Sequence, residues 1–200
     1  MQRFERTQIA ANVAQGVRPY VHAFEARYGT LPHGYWEDEY VLGFVPAIAG
    51  LFATALTSGK IGEADRNAVV QECIETISPG FGQPVMQQLQ GLMLTKPDDF
   101  VKAAEAAAKV MAFSMGQCPA NDPDLIEAQR AARQERGGPA PDPASEFNDT
   151  ARALLHRLFY DVVNQRLMGN TQIPETDGPP SQTIEIESEI DSSGSVVIKF

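Results

Sequence analysis

Apolar residues recur at intervals close to 3.6 along most of the first 170 residues, a period that predicts amphipathic α-helices. The first helix is predicted over about 3–28. Pro19 lies inside this run, and because proline lacks an amide donor and clashes with the preceding turn, we expect a kink or a restart there. The apolar positions of this helix are Phe4, Ile9, Val13, Val17, Tyr20, Val21, Phe24 and Tyr28.

Glycine and proline divide the rest of this region into further helices. After a loop at 29–34, helices are predicted at about 37–57, 63–77 and 84–94. The segment 95–99 has the order Thr-Lys-Pro-Asp-Asp, which predicts a helix start with Thr95 or Lys96 at the cap and an Ala-rich body over 100–115. The segment 121–124 repeats this pattern before a polar helix that ends near Arg136. Beyond a Pro-rich linker at 137–143, Ser145 is predicted to cap a last helix, which ends at 169–170.

The last thirty residues change character. They contain six acids and one lysine, and therefore carry −5 of the total charge of −10. Residues 171–182 contain three prolines and few apolar side chains, which is typical of an extended linker. Alternation at 183–187, turn residues at 191–194 and β-favouring residues at 195–200 predict a β-hairpin. Since an isolated hairpin is marginal in water, we expect it to dock on its own body, to pair with another chain or to remain loose.

Together these patterns predict an all-α fold, a compact bundle of about six or seven helices around a central apolar helix at 40–57, followed by the acidic tail and its β-hairpin. The predicted domains are a helical domain at 1–170, a Pro-rich linker at 171–182 and the tail at 183–200.

Residues 40–59 form a stretch of twenty residues without a charged side chain. It is long enough to span a bilayer. Its small residues Gly43, Ala47, Gly50 and Thr54 fall on one helical stripe beside a stripe of larger ones, so a second helix can approach closely. This arrangement favours a buried central helix, and it leaves membrane insertion and an apolar face for a partner as alternatives.

Charge and cysteine content narrow the classes of function. With 16 basic and 26 acidic residues the chain repels phosphate backbones and anionic lipid, which predicts no nucleic-acid partner and argues against a membrane partner. Cys73 and Cys118 form neither a disulfide framework nor a metal motif. Residues 1–6 start no apolar signal core, so a cytoplasmic location is expected.

The densest group of chemistry-bearing side chains lies at 31–40. Aromatic residues beside carboxylates, on a loop that leads into a helix, can bind a cationic peptide or a small ligand. Alternatively, the acids stabilise the first turn of the helix and the aromatic rings fasten the loop to the core, which the sequence favours. The candidate ligand-binding residues are His33, Tyr35, Trp36, Glu37, Asp38 and Tyr40.

No catalytic residue, metal ligand or cofactor is assigned from the sequence. His22 and Glu25 are spaced to share a metal, but the Glu-x-x-His pair of di-iron bundles does not occur in the chain. His156, with Asp161 five residues later, is expected to be a partly buried histidine with an ordinary hydrogen-bond partner. Catalytic and nucleotide-binding motifs are also missing from the sequence.

Arginines recur three residues apart at 130, 133 and 136. They lie along one edge of the polar helix, where a solvated face is favoured over a site for an acidic partner.

We therefore expect a non-enzymatic protein–protein interaction or adaptor protein that uses a helical body and a β-forming tail. The hairpin would add to the sheet edge of a partner, which is another protein or a second copy of this chain in a homodimer. An alternative is a small-molecule-binding or enzymatic helical bundle with its pocket near 31–40. The candidate partner-binding residues are Ile184, Ile186, Val197, Ile198 and Phe200.

Overall fold

The computed structural model describes residues 3–138 and 142–169, and the backbone of two short strands beyond them. The chain divides into two compact units, Met1–Gly169 and Asn170–Phe200. The predicted linker at 171–182 lies outside the described residues.

The described part of the first unit is all-helical, as predicted. A 3₁₀ turn at Tyr35–Glu37 precedes α2, and a π-helical turn at His156–Tyr160 joins α7 to α8. The helices are α1 (Arg3–Tyr28), α2 (Glu39–Leu56), α3 (Glu63–Ile77), α4 (Gly82–Thr95), α5 (Asp98–Ser114), α6 (Pro123–Arg136), α7 (Pro143–Leu155) and α8 (Asp161–Met168).

Three local predictions differ from the structure. Of the two outcomes expected at Pro19, a kink or a restart, the restart does not occur, because α1 is one helix from Arg3 to Tyr28. Thr95 and Lys96 do not cap α5, because Lys96 is left-handed (φ 47°) at the end of α4, so the extended Pro97 takes the N-cap position. Ser145 does not cap α7 either, since the carboxylate of Asp142 accepts hydrogen bonds from the Ser145 amide (2.9 Å) and hydroxyl (2.8 Å).

α2 is the core helix of this unit. It packs against α1, α3 and α5, and ten of its eighteen residues are buried. The small-residue stripe is divided between two neighbours. Gly43 faces α5 so closely that an added Cβ would lie 2.4 Å from the Phe100 carbonyl oxygen, whereas Gly50 faces α3 with ordinary spacing. Among the described residues α2 is the one helix long and apolar enough to cross a membrane, and 61% of its apolar window is buried inside the protein.

The π-helical turn supplies the aromatic centre of the core. The Asp161 amide donates to the His156 carbonyl, five residues back, which defines the turn. Phe159, fully buried in this turn, stacks on Phe44 of α2 with ring centroids 4.2 Å apart. The Tyr40 hydroxyl donates to the Leu158 carbonyl at 2.7 Å. These contacts hold the π-helical turn against α2.

α6 and α7 pack against each other as a helical hairpin, with Leu125, Ala128 and Ala132 of α6 and Leu154 of α7 buried. Ion pairs cross between the two helices, from Arg133 to Glu146 (3.1 Å) and from Arg136 to Asp149 (2.6 Å). The hairpin is joined to α5 by the stacked rings of Phe113 and Phe147, 4.8 Å apart.

In the second unit, β1 (Glu187–Ile190) and β2 (Val196–Lys199) pair antiparallel, with Glu187 opposite Lys199. Most of the predicted hairpin at 183–200, including its first segment at 183–186 and its turn, lies outside the described residues.

Candidate functional site

The six candidate residues at 33–40 do not share one environment. Tyr35 and Trp36 are buried on the 3₁₀ turn and pack edge to face, with ring centroids 5.1 Å apart. Tyr40 is buried at the start of α2, whereas His33 and Glu37 are exposed. The structure therefore brings the aromatic residues into the core and leaves these two polar side chains at its edge.

Asp38 caps α2 and is linked through Arg166 to the first turn of α5. Its carboxylate accepts hydrogen bonds from the amides of Tyr40 (2.9 Å) and Val41 (3.1 Å), which makes it the N-cap of α2. The same carboxylate contacts Arg166 at 2.9 Å, and Arg166 also binds Asp99 in the first turn of α5 at 2.6 Å. Asp38 is thus engaged by groups of its own chain.

Two buried donors of this segment have no hydrogen-bond partner among the described residues, the Tyr35 hydroxyl and the Trp36 indole nitrogen. Burial, with smaller contributions from Tyr160 and Glu25, raises the pKa of Tyr35 well above its ordinary value. Phe81, which is 45% exposed at the start of α4, lies over Trp36 with centroids 6.2 Å apart. The segment therefore has two unpartnered polar atoms in its interior, and the half-exposed ring of Phe81 lies between Trp36 and solvent.

The candidate residues of the tail are described only in part. Ile184, Ile186 and Phe200 lie outside the described residues. Val197 and Ile198 belong to β2, where their backbones stand opposite Glu189 and Ser188.

Two of the three histidines lie close to a carboxylate of the helical unit. His22 lies 3.4 Å from Glu25, and His156 lies 3.6 Å from Asp161, which the π-helical turn brings alongside. Within the described ranges there is no group of three or more metal-ligating side chains.

The structure shows a surface that sequence reasoning missed, a shallow apolar groove where the end of α4 meets α5. We call it the α4–α5 groove. Its apolar members are Met93, Phe100, Val101, Ala104 and Ala108, and its charged members are Lys96 and Glu105. The sequence does not mark it, because the exposure of Met93 and Val101 is decided by how the helices pack.

Two of the exposed large apolar side chains, Met93 and Val101, line this groove. Met93 is 58% and Val101 37% exposed, and the adjacent Leu94, at 86%, is the most exposed large hydrophobic residue among the described side chains. A contiguous apolar patch on a protein surface marks an interaction site, whereas isolated exposed residues do not.

The charged members of the groove are unpaired. Within the described residues neither Lys96 nor Glu105 forms an ion pair, while nearby charges do: Asp99 binds Arg166, and Lys109 contacts Asp122 at 3.1 Å. Lys96 follows the last turn of α4, where a cation also complements the helix dipole. The groove therefore offers one free charge of each sign beside apolar surface.

A second shallow groove lies on α6 and differs in character. It is lined by polar residues and one isoleucine of that single helix: Ile126, Gln129, Arg130, Arg133 and Gln134. Arg130 binds Glu127 (2.8 Å) within the helix, and Arg133 binds Glu146 of α7. Since these cations have carboxylate partners in the chain, the α6 face is a solvated, ion-paired surface.

Comparison of this chain with protein-family models, with curated proteins and with solved structures finds no match. The chain's own geometry is therefore the ground for a functional assignment.

Proposed function

We propose that this chain is a non-catalytic protein–protein interaction protein whose helical unit binds through the α4–α5 groove. The observation that carries the proposal is the apolar lining of the groove, in which Met93 at the end of α4 and Val101 on α5 are both exposed to solvent. Leaving such surface in water is unfavourable by about 25 cal/mol per Å², so covering it with a partner stabilises the complex.

The helical surroundings support a helical occupant. Ala104 and Ala108 lie one turn apart on the groove side of α5, and their small side chains permit the close approach of another helix. The charged residues at the groove allow orientation of that helix through ion pairs. An interaction site needs no enclosed cavity, and the groove is open and shallow.

The tail gives the proposal a second element. The backbones of β1 and β2 pair with each other, and among the described residues neither strand has another neighbour. A two-stranded sheet is marginal by itself, so addition of a strand from a partner would stabilise it. We keep Ile184, Ile186, Val197, Ile198 and Phe200 as the side chains that would enter the partner's pockets.

The test compares full-length chains that differ at one exposed alanine. Ala108→Glu puts a charged side chain into the groove, and Ala11→Glu makes the same change on the exposed face of α1. Each chain is used as bait in a lysate of its source, and its own mass is measured by light scattering. We expect Ala108→Glu to lose a bound protein, or self-association, that wild type and Ala11→Glu retain.

Identical bound proteins and identical masses for all three chains would refute the proposal. A further chain that ends at residue 170 separates the two elements. A partner lost only with that chain would be bound by the tail rather than by the groove.

A second candidate function, small-molecule binding at the 3₁₀ turn, is favoured by the unpartnered Trp36 and Tyr35 donors. A ligand with hydrogen-bond acceptors would satisfy them if Phe81 moved aside. The fluorescence of the single tryptophan reports such binding directly. Quenching by one member of a metabolite panel, weakened by Tyr35→Phe and kept or strengthened by Phe81→Ala, is the expected result, and a flat response across metals, nucleotides and acyl compounds would exclude it.

A further inference from the structure

We propose that the occupant of the α4–α5 groove is the same groove of a second copy of this chain, in a two-fold homodimer held by reciprocal Lys96–Glu105 ion pairs. This inference rests on the proposed function, since it names the partner of the same surface.

Symmetry sets the first requirement. In a two-fold dimer the same patch lies on both sides, so each group on it must find its complement within the patch itself. The groove meets this requirement, because apolar residues form most of its lining and its two charged residues have opposite signs. Lys96 of each copy then lies opposite Glu105 of the other, and the pairing occurs twice.

Because Lys96 and Glu105 are both unpaired, a second copy of this chain fits the groove better than a basic or an acidic peptide does. Within the described residues Lys96 and Glu105 have no ion pair, so each must find a partner when the groove is covered or remain exposed at its rim. A basic peptide would leave Lys96 without a partner, and an acidic peptide would do the same to Glu105. A second copy supplies both carboxylate and ammonium, and covering an unpaired charge is strongly unfavourable.

The shape of the surface agrees with a helix-on-helix contact. α5 has seventeen residues and is therefore about 25 Å long, enough for a full packing contact between two helices. Ala104 and Ala108 present small side chains on this side of α5, beside the larger Met93 and Val101. A two-fold axis near Val101, about midway along the chain between Lys96 and Glu105, would place each Lys96 beside the Glu105 of the other copy.

The experiment is a charge exchange in the full-length chain, read by sedimentation velocity over a concentration series. Lys96→Glu places two carboxylates opposite each other, and Glu105→Lys places two ammonium groups opposite each other. We expect each to raise the dimer dissociation constant at least about tenfold. The double variant Lys96→Glu/Glu105→Lys restores the opposite signs and should return the dissociation constant to near the wild-type value.

Lys102→Glu is the matched control. It makes the same charge change as Lys96→Glu on an exposed position of α5 that does not line the groove, so it should leave the dissociation constant unchanged. Thermal melts of all five chains show that each variant is folded. High salt should weaken the wild-type dimer and should also reduce the difference between the wild type and the single variants.

Two results would overturn the homodimer: a wild-type chain that is monomeric throughout the series, or a double variant as weak as the single ones. A monomeric wild type whose Ala108→Glu variant still loses a captured protein, relative to Ala11→Glu, refutes the second copy and leaves the proposed function standing. A monomer for which those two variants are also indistinguishable refutes both.

Discussion

Gly43 holds α2 and α5 at their close approach, and replacing it by alanine tests this contact most directly. The added Cβ would lie 2.4 Å from the Phe100 carbonyl oxygen and 2.7 Å from the Ala103 Cβ. Real Cβ contacts essentially never fall below 3.0 Å, so the two helices would have to separate by more than half an ångström. Neither obstacle is a flexible side-chain end that turns away.

The magnitude follows from two opposing effects. Overpacking a core of this kind costs about 1–3 kcal/mol and occasionally more. Alanine in place of glycine inside a helix returns about 1 kcal/mol. Because the clash is with backbone, we place its cost at the upper end and expect Gly43→Ala to lower the free energy of unfolding by about 2 kcal/mol. For a unit of this size that lowers the melting temperature by about 4–8 °C.

Gly50 on the same helix is the matched control. A Cβ there would meet Arg66 and Val70 at 3.7–3.9 Å, which is ordinary contact. Gly50→Ala should therefore gain about 0.5–1 kcal/mol from helix propensity alone. Thermal melts followed by circular dichroism, with urea titrations for the free energies, measure both. A Gly43→Ala chain that melts at or above the wild-type temperature would show that α2 and α5 are not held at this distance.

Three further predictions concern charge and burial. The Asp124 carboxylate is held by a hydrogen bond from Lys109 and by Arg157, which lower its pKa below 3.8. Its stabilisation is present above that value and is lost as the pH falls through the lower folded pKa. Asp124→Asn should therefore lose about 1–2 kcal/mol at pH 7 and less in acid, as measured by urea titrations at each pH. Asp38→Ala should cost about 1–2 kcal/mol through loss of the α2 cap. Cys73 is fully buried, and burial raises its pKa to about 12, so alkylation followed by mass spectrometry should label only the other cysteine until denaturant is added.

Controls separate the causes in each case. An Asp124→Asn chain whose stability changes with pH as the wild type does below pH 4 would refute the linkage. Asp38→Asn keeps a capping oxygen and removes the charge facing Arg166, so it should fall between wild type and Asp38→Ala; equal losses would assign the whole effect to the ion pair. Labelling of Cys73 in the native chain at the rate of Cys118 would contradict its burial.

The sequence predicts helices best where glycine or proline bounds an apolar period. α3 begins at Glu63 and ends at Ile77, as the spacing between Gly62 and Pro79 indicates. α2 likewise lies within one residue or two of its predicted bounds. These elements are defined by neighbours in the chain, so local physical chemistry is sufficient to locate them.

Features that depend on distant residues were missed. The apolar stripe of the last helix fits an α-helix throughout, so the sequence does not predict the π-helical turn. In the structure a distant residue contacts this turn, since the Tyr40 hydroxyl donates to the Leu158 carbonyl. The α4–α5 groove was missed because alanines occur on both faces of α5. Ala103 and Ala107 face the core, whereas Ala104 and Ala108 line the groove, and only the packing of α5 against α2 distinguishes them.

The candidate residues at 33–40 show the same division. Their types suggest a single cluster, but a 3₁₀ turn points consecutive side chains in different directions. Tyr35 therefore meets Phe24 of α1, with ring centroids 5.4 Å apart, and Trp36 meets Phe81. Which of them lies against which helix depends on the tertiary fold.

Because of the π-helical turn, the number of residues in the last helical segment determines which side chains of α8 face the core. A turn closed five residues back contains one residue more than an α-turn, so every later side chain is rotated by about 100° around the axis. Deletion of any one residue between 156 and 160 would rewind α8 by that angle. Val163 would leave the core, and Arg166 would leave the carboxylates of Asp38 and Asp99. This segment should therefore accept many substitutions on its outer side but no change in the number of its residues.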